Sequence, residues 1–77
     1  MRGKFALRDI NWQSADAAKG SVTGFVKIRS SGAPSGPVTL EHGVIHAPDG
    51  LFGVAPGQSA VVYSADGVIL CGGVIML

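Results

Sequence analysis

Hydrophobic positions in this chain alternate with polar ones over short runs, and turn-forming residues separate the runs. The clearest run is residues 22–29 (VTGFVKIR). Successive side chains of a strand point to opposite faces, so Val22, Gly24, Val26 and Ile28 share one face. Thr23, Phe25, Lys27 and Arg29 share the other. The first set is small and aliphatic and is expected to face the core. The second is an aromatic flanked by cations and is expected to face outward. Residues 5–10 (FALRDI), near one end of the chain, predict a short edge strand. Residues 38–41 and 44–47 predict two short strands joined tightly through His42-Gly43. Residues 59–64 (SAVVYS) and 68–77 (VILCGGVIML) predict the last two. Ala65-Asp66-Gly67 joins them, and its Asp-Gly is the strongest hairpin signal in the chain.

The connections carry their own signals. Residues 11–19 (NWQSADAAK) read as a link with a helical turn at 14–18, capped by Ser14 and too short to be stable alone. Residues 30–37 (SSGAPSGP) read as a loop. Pro48-Asp49-Gly50 predicts a turn. Pro56-Gly57 fits a type II turn, with Gln58 satisfying backbone groups of that turn. Gly72 and Gly73, inside the last strand, predict a bulge or a close backbone approach. About six short strands with turns between them argue for an all-β protein, a small barrel or sandwich.

Composition narrows the class. The 77 residues are 47% hydrophobic and 14% charged, with 12 glycines. A disordered tail needs low hydrophobicity and high net charge, so it is excluded. Glycine at this level disfavours a helical bundle. A chain of this length supports one domain, residues 1–77, whose stability is roughly 4–12 kcal/mol at 0.05–0.15 kcal/mol per residue. The net charge is only +1, so any RNA role must rest on a local patch rather than a long-range field. The single cysteine, Cys71, cannot form an internal disulfide. The segment MRGKFALRDINW has no sustained apolar run of the kind a signal peptide needs, and residues 68–77 are too short to span a membrane. A cytoplasmic protein with no membrane partner is expected.

Catalytic chemistry is sparse. The acids Asp9, Asp16, Glu41, Asp49 and Asp66 are scattered, and neither a phosphate-binding GxxxxGK[ST] loop nor a nucleophile elbow is present. No catalytic residue is assigned. His42 and His46 lie in strand and turn with no third ligand nearby, so no metal site is assigned. Cys71 sits among aliphatic residues, where burial raises a thiol pKa and makes it inert. Phe25, Lys27 and Arg29 admit two readings. They can contact phosphates and stack a base, or form an ordinary solvated face whose Lys and Arg stems cover apolar surface. Trp12 reads as a plug at a barrel end.

Three segments together resemble one family. The stretch VAPGQSAVVYSADGVILCGGVI, with Pro56, Gly57, Gln58, Val61, Val62 and Tyr63 in pattern, resembles the closing segment of the tRNA-specific 2-thiouridylases. FVKIR resembles their basic strand, with Lys27 and Arg29 in its two cationic positions. ALRDINW resembles the strand that opens their last domain. The matches run in the family's order and cover nearly the whole chain. Two departures stand out. Cys71 falls on a glycine of the family's terminal glycine run. Ser30-Ser31-Gly32 replaces the usual aromatic-Arg-Gln, which removes a cation and an aromatic from the RNA face.

The resemblance implies a C-terminal, six-stranded antiparallel β-barrel similar to elongation-factor barrels. The full enzymes sulfurate the wobble uridine of tRNA. They use ATP and a catalytic cysteine in an N-terminal domain with an SGGxDS motif. That motif and its cysteine pair are absent here. The chain alone is therefore expected to be non-catalytic and to hold no cofactor, ATP belonging to the catalytic domain. Its expected partners are tRNA, through weak phosphate contacts of Lys27 and Arg29 with Phe25 alongside, and a catalytic or neighbouring domain. Pro56, Gly57, Gln58, Tyr63, Gly72 and Gly73 are expected to be structural. The alternative is a structural or interaction barrel that docks on other domains or self-associates without binding RNA.

Overall fold

The computed structural model describes residues 2–28, 34–51 and 54–76. The order is β1 (Arg2–Trp12), α1 (Ala15–Lys19), β2 (Ser21–Ile28), β3 (Ser35–Glu41), β4 (Val44–Leu51), β5 (Ser59–Tyr63) and β6 (Ile69–Met76). The six strands close into a barrel in the order β1-β4-β3-β2-β5-β6. Every pairing is antiparallel, including β6 with β1. The six-stranded antiparallel barrel expected from the resemblance is the observed fold.

Alternation in the strands fills the interior. Phe5 and Leu7, Val26 and Ile28, Val38 and Leu40, Ile45 and Ala47, Ala60 and Val62, and Cys71 with Ile75 are all buried. Leu51 of β4 joins them, and Ala17 of α1 closes over the same cluster. The helix is short, and its start is fixed by a cap: the Ala17 N–H donates to Ser14 Oγ at 3.3 Å. Trp12 is partly buried against the core, in keeping with the plug reading.

Closure changes the part played by β1. Position near one end of the chain suggested an edge strand, but the first half of β1 pairs with β4 and the second half with β6. A closed barrel has no edges to assign. The strand bends between its partners at a bulge, where the register shifts between Arg8 and Asn11. Asp9 sits there at φ 53°, a left-handed conformation that Asp tolerates better than most residues.

Two readings of the connections differ from the structure. Pro48-Asp49-Gly50 is not a turn between elements but part of β4, in an irregular stretch where Arg2 opposes Leu51 and Lys4 opposes His46. Its turn-prone residues absorb a bulge rather than reverse the chain. Ser35, Gly36 and Pro37 belong to β3 rather than to the loop, while residues 30–33 of that loop lie outside the described residues. Ala65-Asp66-Gly67 is the tight hairpin connection that its residues predict. The Gly67 N–H donates to Ser64 O at 2.9 Å and the Ser64 N–H to Val68 O at 2.8 Å, with Gly67 at φ 84°. This is a three-residue loop, a type I turn closed by a left-handed glycine. The other hairpin matches its reading: His42 and Gly43 have φ 51° and 78°, as a type I′ turn requires.

The β5–β6 hairpin lies between β2 and β1, and a glycine sits at each seam. A Cβ added at Gly24 would run into the carbonyl of Tyr63 across the β2–β5 seam. A Cβ at Gly73 would lie 3.1 Å from both Arg8 O and Leu7 Cβ across the β6–β1 seam. Gly72 is different, because its Cβ would meet only Ala60 O at 3.6 Å and Val61 Cγ2 at 3.9 Å, ordinary contacts. The close approach is therefore at Gly73. Gly73→Ala should destabilise by about 1–3 kcal/mol through overpacking. Gly72→Ala should be neutral, or stabilise by about 0.4–1 kcal/mol through reduced unfolded-state freedom. Denaturant unfolding of the two variants checks this, and equal losses would place the constraint elsewhere.

Candidate nucleic-acid interface

The outward face of β2 carries Thr23, Phe25 and Lys27, opposite to buried Gly24, Val26 and Ile28. Residues paired across an antiparallel ladder present their side chains on the same face. Phe25 pairs with Tyr63 of β5, and Tyr63 pairs in turn with Ile69 of β6. An aromatic–aromatic–aliphatic row therefore crosses three strands on the outside of the barrel. Lys27, two residues along β2, opposes Val61.

These side chains bound a groove. Phe25, Lys27, Pro34, Tyr63, Ser64, Ala65 and Gly67 line a cleft of about 570 Å³ open to solvent. Phe25 also lines a second cleft, about 520 Å³, that runs past Gly36 towards Asp49 and Gly50. Phe25 and Pro34 thus border both grooves. At the groove's turn, Ser64 Oγ accepts from the Val68 N–H at 3.1 Å, which fixes the hydroxyl at the rim.

Charge is distributed unevenly around the barrel. Arg8 is paired with the adjacent Asp9 carboxylate at 2.6 Å on the exposed surface, so its field is largely cancelled. Lys4 stands opposite His46 on the β1–β4 side, and Lys19 lies on α1. Among the described residues, Lys27 is the cation that shares a groove with aromatic rings. Arg29, assigned to the same face from alternation, lies outside the described residues.

The remaining assigned residues have plain structural surroundings. Pro56-Gly57 makes the turn before β5, with Gly57 at φ 87°, the left-handed third position of a type II turn. The Ala55 N–H donates to Gln58 Oε1 at 3.1 Å, which ties the turn to its own side chain. The Gly57 N–H donates to Ile75 O and the Ile75 N–H to Gln58 O, which fastens the turn to β6. The sequence pattern gives Tyr63 a structural part; in the structure it is paired with Phe25 across the β2–β5 ladder, and both line the groove. Its outward direction is readable from the alternation of Ala60 and Val62 inward, but its partner strand is not. Among the described residues no group of three or more His, Cys, Asp or Glu could hold a metal ion. No helix among them is long and apolar enough to cross a membrane.

With the barrel and its groove in place, comparison with known proteins gives the family. Residues 2–75 match the aminomethyltransferase beta-barrel domain, and the chain belongs to that family. Curated relatives of the chain are named as tRNA-specific enzymes. One is the tRNA-specific 2-thiouridylase MnmA of Brucella melitensis biotype 1, 39% identical over 76 aligned positions, covering 88% of this chain and 19% of the relative. The proteins of the same name from Brucella ovis and Brucella abortus strain S19 are each 39% identical over 71 positions, covering 82% of this chain and 18% of the relative. The chain thus spans under a fifth of the length of these relatives, and the resemblance read from its motifs is the one these comparisons give. No solved structure matches the chain at a significant level.

Cys71 is fully buried and free, and burial pushes its thiol up to about 11. Folded protein should therefore resist thiol-alkylating reagents at pH 8 and react only on unfolding. The unfolded thiol ionises at lower pH than the folded one. Stability should then fall as pH rises from about 9.0 towards 11. Rapid labelling of native protein would contradict the burial argument.

Proposed function

We propose that this chain is the non-catalytic, tRNA-contacting barrel of a tRNA-specific 2-thiouridylase. One observation carries the reading: Lys27 lies beside an aromatic pair in a surface groove, on a chain whose relatives are named as tRNA-specific enzymes. Lys27 contacts tRNA phosphate, and Arg29, on the same face by sequence alternation, adds a second contact. Two phosphate contacts give a salt slope of only about −2. Binding is correspondingly weak, and the barrel serves to orient tRNA for a catalytic domain. It takes no cofactor, because ATP use and sulfur transfer belong to that domain. A tRNA partner places its work in the cytoplasm.

A second reading rests on a different face. Val44, Ala6 and Met76 form an outward row across β4, β1 and β6, and Met76 is 42% exposed. That row suits docking on a neighbouring domain, or self-association, with no RNA bound. Light scattering on the purified chain separates the readings, since a stable dimer without tRNA affinity favours docking.

Lys27→Glu and Arg29→Glu should each weaken tRNA binding, and each should lower the salt slope by about 1 if its residue contacts one phosphate. Neither should shift the melting transition, because neither is read as part of the core. Fluorescence anisotropy with labelled tRNA at low and moderate salt is the assay. If both variants bind as tightly as the unaltered chain, the tRNA-contacting reading fails.

A further inference from the structure

Phosphate contact alone does not explain why two aromatic rings stand side by side on an outer barrel face. Water-facing strand positions are ordinarily polar when the opposite face is buried. Here Phe25 and Tyr63 occupy directly opposed outward positions on β2 and β5, and both line the groove that holds Lys27 and Ser64. Opposed residues of such a pair have Cβ atoms about 4.5–5.5 Å apart, which places two ring systems side by side. The pairing is fixed by the barrel, because a one-residue slip of β5 against β2 would turn Val62 outward and Tyr63 into the core.

We infer that Phe25 and Tyr63 form a stacking platform for an unpaired base of RNA, with Lys27 holding the adjoining phosphate. The inference rests on the tRNA-contacting reading and deepens it by naming the class of nucleotide. Bases within a duplex have their faces covered by neighbours, whereas a looped-out or single-stranded base offers a free face to an aromatic ring. A groove with aromatic walls and one cation has the parts that single-stranded sites combine, rings for bases and positive charge for the backbone. Ser64 adds direction. Its Oγ already accepts from the Val68 N–H, so its own O–H hydrogen remains to donate to an acceptor on the base edge. The platform therefore prefers unpaired nucleotides over a helical stem, whereas Lys27 alone would contact either.

The test uses the 77-residue chain with two RNA probes of equal length, a single-stranded oligouridylate and a blunt duplex, in anisotropy titrations at fixed low salt. The single strand should bind more tightly than the duplex. Phe25→Leu and Tyr63→Leu should each weaken single-strand binding by about 10-fold, within the range one stacked base carries, and leave duplex binding unchanged. The ring-retaining Phe25→Tyr should restore the affinity. Lys27→Gln should weaken both probes. A fluorescent 2-aminopurine within the strand should also change its emission on binding the unaltered chain, which reads stacking even if a leucine variant fails to fold. Equal binding of the two probes with no change in emission would overturn the platform while leaving the phosphate reading intact. Absence of binding to either probe would overturn both.

Discussion

Closing a six-stranded barrel requires the β5–β6 hairpin to fit between two strands that come from the first half of the chain. Both seams of that fit are backbone against backbone. On one side Gly24 leaves room for the Tyr63 carbonyl, and on the other Gly73 leaves room for the β1 backbone at Arg8. A side chain at either place would have to displace main chain, which is costly because main chain is held by its ladder. The rest of the molecule depends on these contacts. They set the register of β5 against β2, and the register decides which side chains face water together. They also let β1 divide its pairing between β4 and β6, with Asp9 taking up the bend.

The candidate interface is a consequence of the same seam. Gly24 and Phe25 are neighbours in sequence, and their side-chain directions are opposite. The position that permits close approach to β5 is followed at once by the one that meets Tyr63 on the outer surface. The hairpin loop then supplies Ser64, Ala65 and Gly67 to the groove wall. Sequence, seam and site are thus linked over a few residues of two strands. The interior is filled by apolar side chains from all six strands, so the grooves lie on the outside of the barrel.

The inward and outward faces of the strands were legible from alternation, most plainly in residues 24–28 (GFVKI), where buried Gly24, Val26 and Ile28 alternate with half-buried Phe25 and Lys27 as the period of two requires. Turns with a left-handed glycine were legible as well, since His42-Gly43 and Pro56-Gly57 act locally. What escaped local reading depended on long-range pairing. Pro48-Asp49-Gly50 has the residues of a turn, yet β1 lies alongside and the segment continues the strand as a bulge. The strand at residues 5–10 looked like an edge because nothing in its own residues announces a second partner. The same limit hid the partnership of Phe25 with Tyr63: each could be placed on an outer face, but only the closed barrel brings the two together. Gly72 and Gly73 look alike in sequence, and only the packing of β6 on β1 distinguishes them.

The most direct test of this account is a residue-resolved map of RNA contact on the intact chain. Isotope-labelled protein would be titrated with a tRNA anticodon stem-loop, and amide shifts followed by NMR. The largest changes should gather along the β2–β5 seam and its hairpin loop, at Phe25, Lys27, Tyr63 and Ser64, with the β1–β4 side unmoved. Changes centred instead on Val44, Ala6 and Met76, or none at any residue, would contradict it.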